Sequence, residues 1–369
     1  MTELGISAYL RQRLYLAANL VSVRVRLVSA NLADCDSPVR LLLVGDGWFL
    51  RDLGSLFSSA PREIWTRRVP LPLLRSVLRA RAGEFDLGFA VIPGAHQRPF
   101  APSRAYRGKL SVGQAIDLSG GWGQVRSRFV KSLRNQTNDF ERKRGLSCRE
   151  SRSAQDFEHF YESMYLPYAR SRFGQFASVK PKQSLRRIFD AGLLFFIERD
   201  GVALACQLCA GRGDVFWFAT LGVLDGDLQH VRAGALTACY FYCIRHALRH
   251  GYRAMDVGGG LPFLSNGVLR HKADWGAQLC ELERESECFD LFLGARPAAA
   301  MTFLARHPTV VDDRGRMCVL AALPAHDGDA MEQLGVELQR WRKLGLETAR
   351  LLTPEGWHTH ALRSDNPPD

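Results

Sequence analysis

The stretch with the clearest chemical potential is YRAMDVGGGLPFLSNGVLRHKADWG, residues 252–276. In it Gly258, Gly259 and Gly260 follow a short hydrophobic segment that is typical of a β-strand. Consecutive glycines let a ligand approach the backbone closely, and they leave N–H groups free of side-chain obstruction. We therefore interpret the triplet as the lining of a crowded binding site, in which Asp256 orients the neighbouring backbone.

Polar and charged side chains follow the glycines within a few residues. Lys272 can place a positive charge beside a ligand oxygen on which negative charge develops during a reaction. Asn266 and Arg270 lie between the glycines and Lys272. We predict that Asn266 binds the cofactor or cosubstrate, together with the glycines, and that Arg270 binds the substrate. The alternative is a plain strand-to-loop turn with a solvated Arg-His-Lys run, because a glycine triplet alone is weak evidence.

A second candidate site precedes the predicted helix GALTACYFYCIRHALRHG, where Arg232, Gly234 and Ala235 stand. A helix N-terminus offers unpaired N–H groups and the positive end of the helix dipole, so a phosphate or diphosphate can dock there. His230 is a candidate base for an incoming amine, although a histidine beside a helix start is more often structural. No nucleophile-elbow pattern of serine, histidine and aspartate is visible, which favours direct transfer over a covalent enzyme intermediate.

The charge of the chain favours anionic partners, since the formal net charge is +11 at pH 7. Basic residues crowd the segment WGQVRSRFVKSLRNQTNDFERKRG, which we predict to be a single helix that stops at Gly145. We predict that this helix binds an anionic substrate through Arg126, Arg128, Lys131 and Arg134. The alternative is a basic, solvated surface without a ligand.

Several classes of protein are disfavoured. The apolar runs are far shorter than the roughly 20 residues of a membrane-spanning helix, so we predict no transmembrane segment. The N-terminus lacks the uninterrupted apolar centre of a signal peptide, which makes the cytoplasm the default compartment. The nine cysteines include a Cys206/Cys209 pair and a Cys239/Cys243 pair, which we interpret as reduced, buried thiols rather than zinc ligands. We predict no metal site.

The order of predicted elements indicates an α+β fold. In the second half, two helices are followed by the strands LLFFIERD, VALACQLCAG and VFWFATLGV, with Asp200-Gly201 at the first turn. A helix and the strand RAMDVGG follow, and the hairpin TVVDDRGRMCVLAAL, a helix and the terminal strand ARLLTP close the chain. We divide the sequence into residues 1–120, residues 121–300 and a C-terminal segment, residues 301–369.

This order, together with the basic helix, the hairpin FIERDGVALACQLCAG and MDVGGG followed by NGVLRHKADWG, resembles the GNAT-like superfamily. The likeness is to FemAB-like N-acyltransferases and to related acetyltransferase domains of polysaccharide-biosynthesis proteins, over roughly residues 105–280. It implies a mixed, mostly antiparallel central sheet flanked by helices, in two tandem halves of which the first is degenerate. In the resembled family, a basic residue at the place of Lys272 is associated with the donor end.

The resemblance implies an N-acyltransferase that moves an acyl group from an activated donor to an amine by direct transfer. Acyl-CoA is the leading donor, although Val231 stands where the acetyltransferase pyrophosphate loop has Gln or Arg. The alternative donor is an aminoacyl-tRNA, as in peptidoglycan-bridge enzymes, and the basic helix favours it. The acceptor is an amine on a small molecule or on a cell-envelope or polysaccharide precursor. A non-catalytic nucleic-acid-binding or scaffold protein on a decayed acyltransferase fold is the third possibility.

Overall fold

The computed structural model describes residues 22–32, 38–92, 105–140, 145–174, 179–282, 287–323 and 328–362. The chain divides into two compact units. The first unit comprises Met1–Val112, Gly260–Gly267 and Glu281–Asp369, and the second comprises Gly113–Gly259 and Val268–Cys280. The second unit therefore begins near the predicted boundary at residue 120, whereas residues 281–300 lie in the first unit. That the first half is a degenerate copy of the second stays a prediction.

The strands of the described residues form two sheets, one in each unit. In chain order they are β1 (Ser22–Ala30), β2 (Val39–Val44), β3 (Arg62–Pro70), β4 (Leu87–Ala90), β5 (Ala105–Lys109), β6 (Val112–Asp117), β7 (Ser147–Ser151), β8 (Gly192–Arg199), β9 (Val202–Arg212), β10 (Val215–Val223), β11 (Ala254–Gly260), β12 (Gln278–Cys280), β13 (Cys288–Leu293), β14 (Thr309–Asp312), β15 (Met317–Ala322), β16 (Thr348–Thr353) and β17 (Gly356–Ala361).

The helices cover the faces of these sheets, and none of those described is long and apolar enough to cross a membrane. In chain order they are α1 (Trp48–Asp52), α2 (Leu71–Ala80), α3 (Gly121–Ser127), α4 (Lys131–Thr137), α5 (Ala154–His159), α6 (Leu166–Phe173), α7 (Lys182–Asp190), α8 (Leu228–Arg232), α9 (Ala235–Arg249), α10 (Gly267–Asp274), α11 (Pro297–Arg306) and α12 (Gly328–Lys343). A π-helical stretch, Phe160–Tyr165, joins α5 to α6, and short 3₁₀ turns span Leu53–Leu56, Ala82–Glu84 and Leu224–Gly226.

The first unit is built on a ten-stranded sheet in the order β17-β16-β15-β14-β5-β13-β4-β2-β1-β3. Most neighbours are antiparallel, while β2 pairs with β4 and β15 with β16 in parallel. Alternating burial along β1 places Val23, Val25 and Leu27 in a core that α2 covers. The predicted strands VSVRVRLVSA and VRLLLVG, the helix LPLLRSVLRARA and the hairpin β14–β15 are confirmed.

The second unit contains a seven-stranded sheet in the order β12-β6-β11-β10-β9-β8-β7. The predicted meander is confirmed, because β8, β9 and β10 pair as consecutive antiparallel strands. Asp200 and Gly201 both have positive φ angles, 52° and 79°, at the tip of the first hairpin, as a type I′ turn requires. The mixed, mostly antiparallel architecture flanked by helices is that of the predicted fold class.

Two hydrophobic cores sandwich this second sheet. One contains Cys209 and the inner face of α9, and the other contains Cys206 and the helices from Phe157 to Phe189. Cys206 and Cys209 are three residues apart on β9 and so point to opposite faces of the sheet, which prevents this pair from sharing one metal ion. The described cysteines are free thiols, and the described residues contain no cluster of three or more ligands placed to hold a metal.

Three elements differ from the sequence-based expectation. The basic segment was predicted as one helix, but among the described residues it forms α3 and α4, with a break at Arg128–Val130. Arg134 donates to the carbonyls of Ser127 (3.2 Å) and Phe129 (2.6 Å), which satisfies backbone oxygens that the break exposes. The stretch after the glycines is helical in α10, and β17 follows the strand that was expected to be the last.

Candidate functional site

The two parallel strands β10 and β11 separate part of the way along their length. The two strands are paired at three positions only among the described residues, from Val215 opposite Ala254 to Trp217 opposite Asp256. Within the described chain no further pair joins them, although β10 continues to Val223. The register of β10 with β9 shifts between Phe218 and Thr220, which marks a β-bulge. A bulge bends and twists its strand, which accounts for the end of the pairing between β10 and β11 after Trp217 and Asp256. The space between the unpaired parts of these two strands is called the cleft below.

The glycine triplet forms the end of β11, on the side of this opening. Gly258 has a φ of 75°, a left-handed conformation that strongly favours glycine. Its N–H donates to the Asp256 Oδ1 atom at 2.7 Å. This contact bends β11 directly after its last pair with β10. Asp256 thus orients the neighbouring backbone, while its part in catalysis stays a prediction.

Lys272 lies on α10 with its side chain buried, 6% exposed. Its Nζ atom donates to the carbonyl oxygens of Gly258 at 2.9 Å and of Gly259 at 3.0 Å. An ammonium group carries three N–H donors, so the third has no acceptor among the described residues. The arrangement fixes a positive charge beside the glycine triplet and leaves one donor for a ligand.

Burial lowers the pKa of Lys272 from 10.5 to about 8, against the opposing effect of the nearby Asp256 carboxyl group. At pH 7 most Lys272 side chains are therefore charged, and a small fraction is neutral. The same group can stabilise negative charge at neutral pH and loses this ability as the pH rises through 8.

We expect this shift to appear in the pH dependence of stability. Between pH 8 and 10.5 the unfolded chain binds the Lys272 proton more tightly than the folded chain, so the free energy of unfolding rises with pH in that window. Relative to a Lys272→Met variant, the wild type should gain about 3 kcal/mol across the window. Urea unfolding of both proteins from pH 7 to pH 10.5 measures the difference. A difference that stays constant would contradict the burial of an ionisable Lys272.

The charges of Asp256 and Lys272 both influence the thiol of Cys280. It lies on β12, and burial together with the Asp256 charge raises its pKa from 9.0 to about 11. Because the thiolate is the nucleophilic form, a thiol with this pKa is largely inert at neutral pH.

The predicted phosphate site lies at the start of α9. Gly234 precedes the helix in the left-handed conformation, with a φ of 95°, and donates its N–H to the Val231 carbonyl at 3.0 Å. Ala235 begins α9 and is buried, whereas Arg232 is exposed at the end of α8. His230 is half-buried on α8. No hydrogen bond or ion pair links His230 or Arg232 to the glycine triplet in the described part of the chain.

The predicted substrate-binding arginines make contacts within their own segment and with the end of β6. Arg128 forms an ion pair with Asp117 at 2.8 Å. Arg126 donates to the Arg134 carbonyl at 2.7 Å, and Arg134 donates across the break between α3 and α4. Lys131 is exposed at the start of α4. The structure thus gives these arginines a local structural role, and their contact with a substrate stays a prediction.

The remaining predicted residues are divided between the two units. Gly260 and Asn266 belong to the segment of the first unit that links β11 to α10. The Gly260 carbonyl accepts a hydrogen bond from the Ser111 hydroxyl at 3.1 Å, and the Asn266 N–H donates to Phe263 at 2.9 Å. Arg270 is exposed on α10, in the second unit.

Tyr240, on α9, is a further buried residue near the glycine triplet's helix α10, and its sequence position alone did not single it out. The Tyr240 ring packs on Phe218, the first residue of β10 beyond the paired region, with centroids 4.5 Å apart. It also stacks on Trp275 at 5.1 Å and meets the edge of His271 at 5.4 Å. Burial raises the pKa of its phenol, which therefore stays protonated at neutral pH. An aromatic residue on a helix gives no sequence signal for such a position.

Comparison with known proteins agrees with this architecture. Residues 127–272 match the family model described as an acetyltransferase (GNAT) domain. Comparison with curated protein sequences gives no significant match.

Among solved structures, similarity is found to FemX, with a TM-score of 0.40, 11% identity, and coverage of 75% of this chain and 86% of that one. L-PGS from Bacillus licheniformis has a TM-score of 0.35, 13% identity, and coverage of 72% and 83%. A tandem GNAT protein from the clavulanic acid biosynthesis pathway has a TM-score of 0.28, 12% identity, and coverage of 59% and 67%.

The family match spans all of the elements that form the cleft, from the end of α3 through β10, α9 and β11 to Lys272 on α10. The match covers less than half of the chain, and over residues 127–272 the second unit has a GNAT-like acyltransferase fold.

Proposed function

We propose that the protein is an N-acyltransferase that takes an acyl group from an acyl-CoA-type thioester and transfers it directly to an amine. The observation that carries this proposal is the cleft between β10 and β11, which holds a buried ammonium group at its side. Strands that diverge leave backbone N–H and C=O groups without a neighbouring strand. Such groups can pair with the amides of an extended donor, as an added strand would.

The proposed reaction needs three steps at the carbonyl carbon of the donor. The amine gives a proton to a base, for which His230 stays the candidate, and its nitrogen lone pair forms the new C–N bond. The carbonyl oxygen becomes negatively charged, and the third N–H of Lys272 stabilises it. The carbonyl then re-forms as the C–S bond breaks, and the departing thiolate takes up a proton from the protonated base or from solvent.

An aminoacyl-tRNA is the second candidate donor, because α3 and α4 carry a cluster of cations. The internal contacts of Arg126, Arg128 and Arg134 weaken this case, since those guanidinium groups already have protein partners. The acceptor in either case is an amine on a small molecule or on a cell-envelope or polysaccharide precursor, and a cytoplasmic location stays a prediction.

The salt dependence of donor binding distinguishes the two donors. We expect acyl-CoA to bind with a shallow dependence, because a small ligand releases few counterions, whereas tRNA binding loses about one power of salt concentration for each phosphate contacted. Titrations of acetyl-CoA and of aminoacyl-tRNA between 50 and 300 mM salt, on the order of physiological ionic strength, measure both slopes. Binding of tRNA alone, with a steep slope, would overturn the thioester assignment, and binding of neither would support a non-catalytic protein.

Lys131→Glu tests the basic segment in the same titrations. Lys131 is exposed, so charge reversal leaves the arginine contacts intact, and we expect donor affinity to fall a few-fold at low salt. Lys343→Glu is the matched control, since Lys343 is an exposed lysine on α12 in the first unit. Equal affinities for both variants and the wild type would remove the segment from the donor site.

A further inference from the structure

The face of the second sheet opposite α9 is partly open around β10 and β11. Phe216 on β10 and Met255 on β11 are buried in the core that α9 covers, whereas their neighbours Trp217 and Asp256 are half-buried. Successive side chains of a strand point to opposite faces, so Trp217 and Asp256 share the face away from α9. This side is called the open face below. It gives a second molecule access to the cleft without passing through the core beneath α9.

Arg212, at the end of β9, places a positive charge on the open face. The central carbon of its guanidinium group lies 3.3 Å from the centroid of the Trp217 ring, so the two groups stack. Stacking uses the flat face of the guanidinium group, whereas its N–H donors lie in the plane and form the fork that matches a carboxylate or a phosphate. The contact with Trp217 therefore holds this fork at the point where β10 and β11 stop pairing.

Lys180 places a second positive charge on the open face. Its Nζ atom donates to the carbonyl of Ala219 at 3.4 Å, and Ala219 is the extra residue of the bulge in β10. The backbone of Lys180 is also held, since its N–H donates to the Tyr165 hydroxyl at 2.7 Å and its carbonyl accepts from the Tyr161 hydroxyl at 3.4 Å. Both tyrosines belong to the π-helical stretch, and such stretches are frequent at functional sites.

The two cations are close enough to repel each other. Partial burial of the ammonium group lowers the pKa of Lys180 from 10.5, and the nearby positive charge of Arg212 lowers it further. Among the described residues, no carboxylate forms an ion pair with Lys180. Like charges held together raise the free energy of the protein, and an anion bound between them would reverse that effect. The arrangement of Lys180 and Arg212 is therefore that of a receptor for an anionic group.

We propose that the acceptor is an amine that also carries an anionic group, a carboxylate or a phosphate, which binds between Lys180 and Arg212. The inference rests on the proposed N-acyltransferase activity and names the substrate class of the same site. Asp256 attracts the ammonium end of the acceptor, because it lies on β11 about 5 Å, one strand spacing, from Trp217. The amine then reaches the cleft beside Lys272, while the anionic group stays over β10. A short spacer between the two groups matches this distance.

A set of short primary amines that differ only in their second group tests the proposal. β-Alanine carries a carboxylate, O-phosphoethanolamine a phosphate, ethanolamine a hydroxyl and ethylenediamine a second amine. Calorimetry measures the affinity for each amine, and assays with acetyl-CoA measure kcat/KM. We expect the better of the two anionic amines to exceed ethanolamine about tenfold or more in both quantities, because charge-assisted hydrogen bonds are strong. Ethylenediamine should be the weakest, and the order of the two anionic amines distinguishes a carboxylate from a phosphate.

Substitutions of Lys180 connect this preference to the open face. Lys180→Met should remove most of the preference for the anionic amines, whereas Lys180→Arg, which keeps the charge, should retain it. Because Lys180 is exposed, both variants should fold, as circular dichroism will check. Lys182→Met is the matched control, since Lys182 is a nearby lysine that Glu158 and Glu162 already pair. This control should keep the preference of the wild type.

The outcomes separate this inference from the proposed function. Equal binding and acylation of ethanolamine and the anionic amines would overturn the inference and leave the acyltransferase activity intact. Binding of an anionic amine that depends on Lys180, without acyl transfer, would support the anion site and contradict the proposed function. No preference for the anionic amines in binding, or an equal loss of preference in Lys180→Met and Lys182→Met, would overturn the inference.

Discussion

Replacement of Lys272 by methionine should lower the single-turnover rate of acyl transfer by about a hundredfold or more. Removal of one preorganised donor at a developing oxyanion typically has an effect of this size. Methionine keeps the length and apolar character of the buried stem, so donor affinity should change much less than the rate. Rapid-quench measurements at saturating donor give the rate, and equilibrium titration gives the affinity.

The loss of rate could also follow from a purely structural role of Lys272, so the stability of the methionine variant must be measured as well. The methionine variant leaves the Gly258 and Gly259 carbonyls without their donor, at a cost of about 1–3 kcal/mol per buried acceptor. Part of that cost is offset because a buried charge also disappears. Urea unfolding must therefore accompany the kinetics, with Lys343→Met as the control for the loss of an exposed lysine.

The pH dependence of the single-turnover rate distinguishes the catalytic role of Lys272 from the structural one. If the ammonium form stabilises the oxyanion, the wild-type rate should carry a descending limb near pH 8, where Lys272 loses its proton. The methionine variant should lack that limb. A variant that is folded and retains the full single-turnover rate would confine Lys272 to holding the glycine carbonyls.

Replacement of Gly259 by valine should abolish donor binding or raise the apparent Michaelis constant by more than tenfold. The added isopropyl group would stand at the half-buried end of β11, where the donor is proposed to approach the backbone. The single-turnover rate of any complex that still forms should fall less than the affinity. This pattern is the opposite of the one expected for Lys272→Met, so the two variants test different parts of the site.

Gly335→Val is the matched control for this substitution. Gly335 is exposed on α12, and a side chain there would meet no atom within 4 Å. Isothermal titration with the donor and circular dichroism on both variants give the comparison. Normal donor affinity in a folded Gly259→Val protein would contradict a role of the triplet in the donor site, and the glycines would then serve only the bend of β11.

Local sequence determined much of the second unit. The hairpin at Asp200-Gly201 follows from the backbone preference of that dipeptide, and the helix α9 follows from its apolar periodicity and a glycine at each end. The strand that ends in the glycine triplet was also evident from the order of residues, while the catalytic role of Lys272 stays a prediction. In the same way, the charge of residues 122–145 was visible in composition, although composition does not say what each charge contacts.

Only the tertiary structure decided where those charges lie. The basic segment breaks between α3 and α4, where the Val130 N–H donates to the distant Asp274 carbonyl at 2.9 Å. Arg134 supplies local hydrogen bonds to the carbonyls at the break, and helix periodicity does not contain the contact with Asp274. The burial of Lys272 depends on α10 packing against β11, and its lowered pKa follows from that burial. Likewise, the cleft depends on a bulge in β10 that shifts its register with β9. Sequence thus determined the local elements and the residue types, whereas packing between distant segments determined exposure, charge state and the opening of the site.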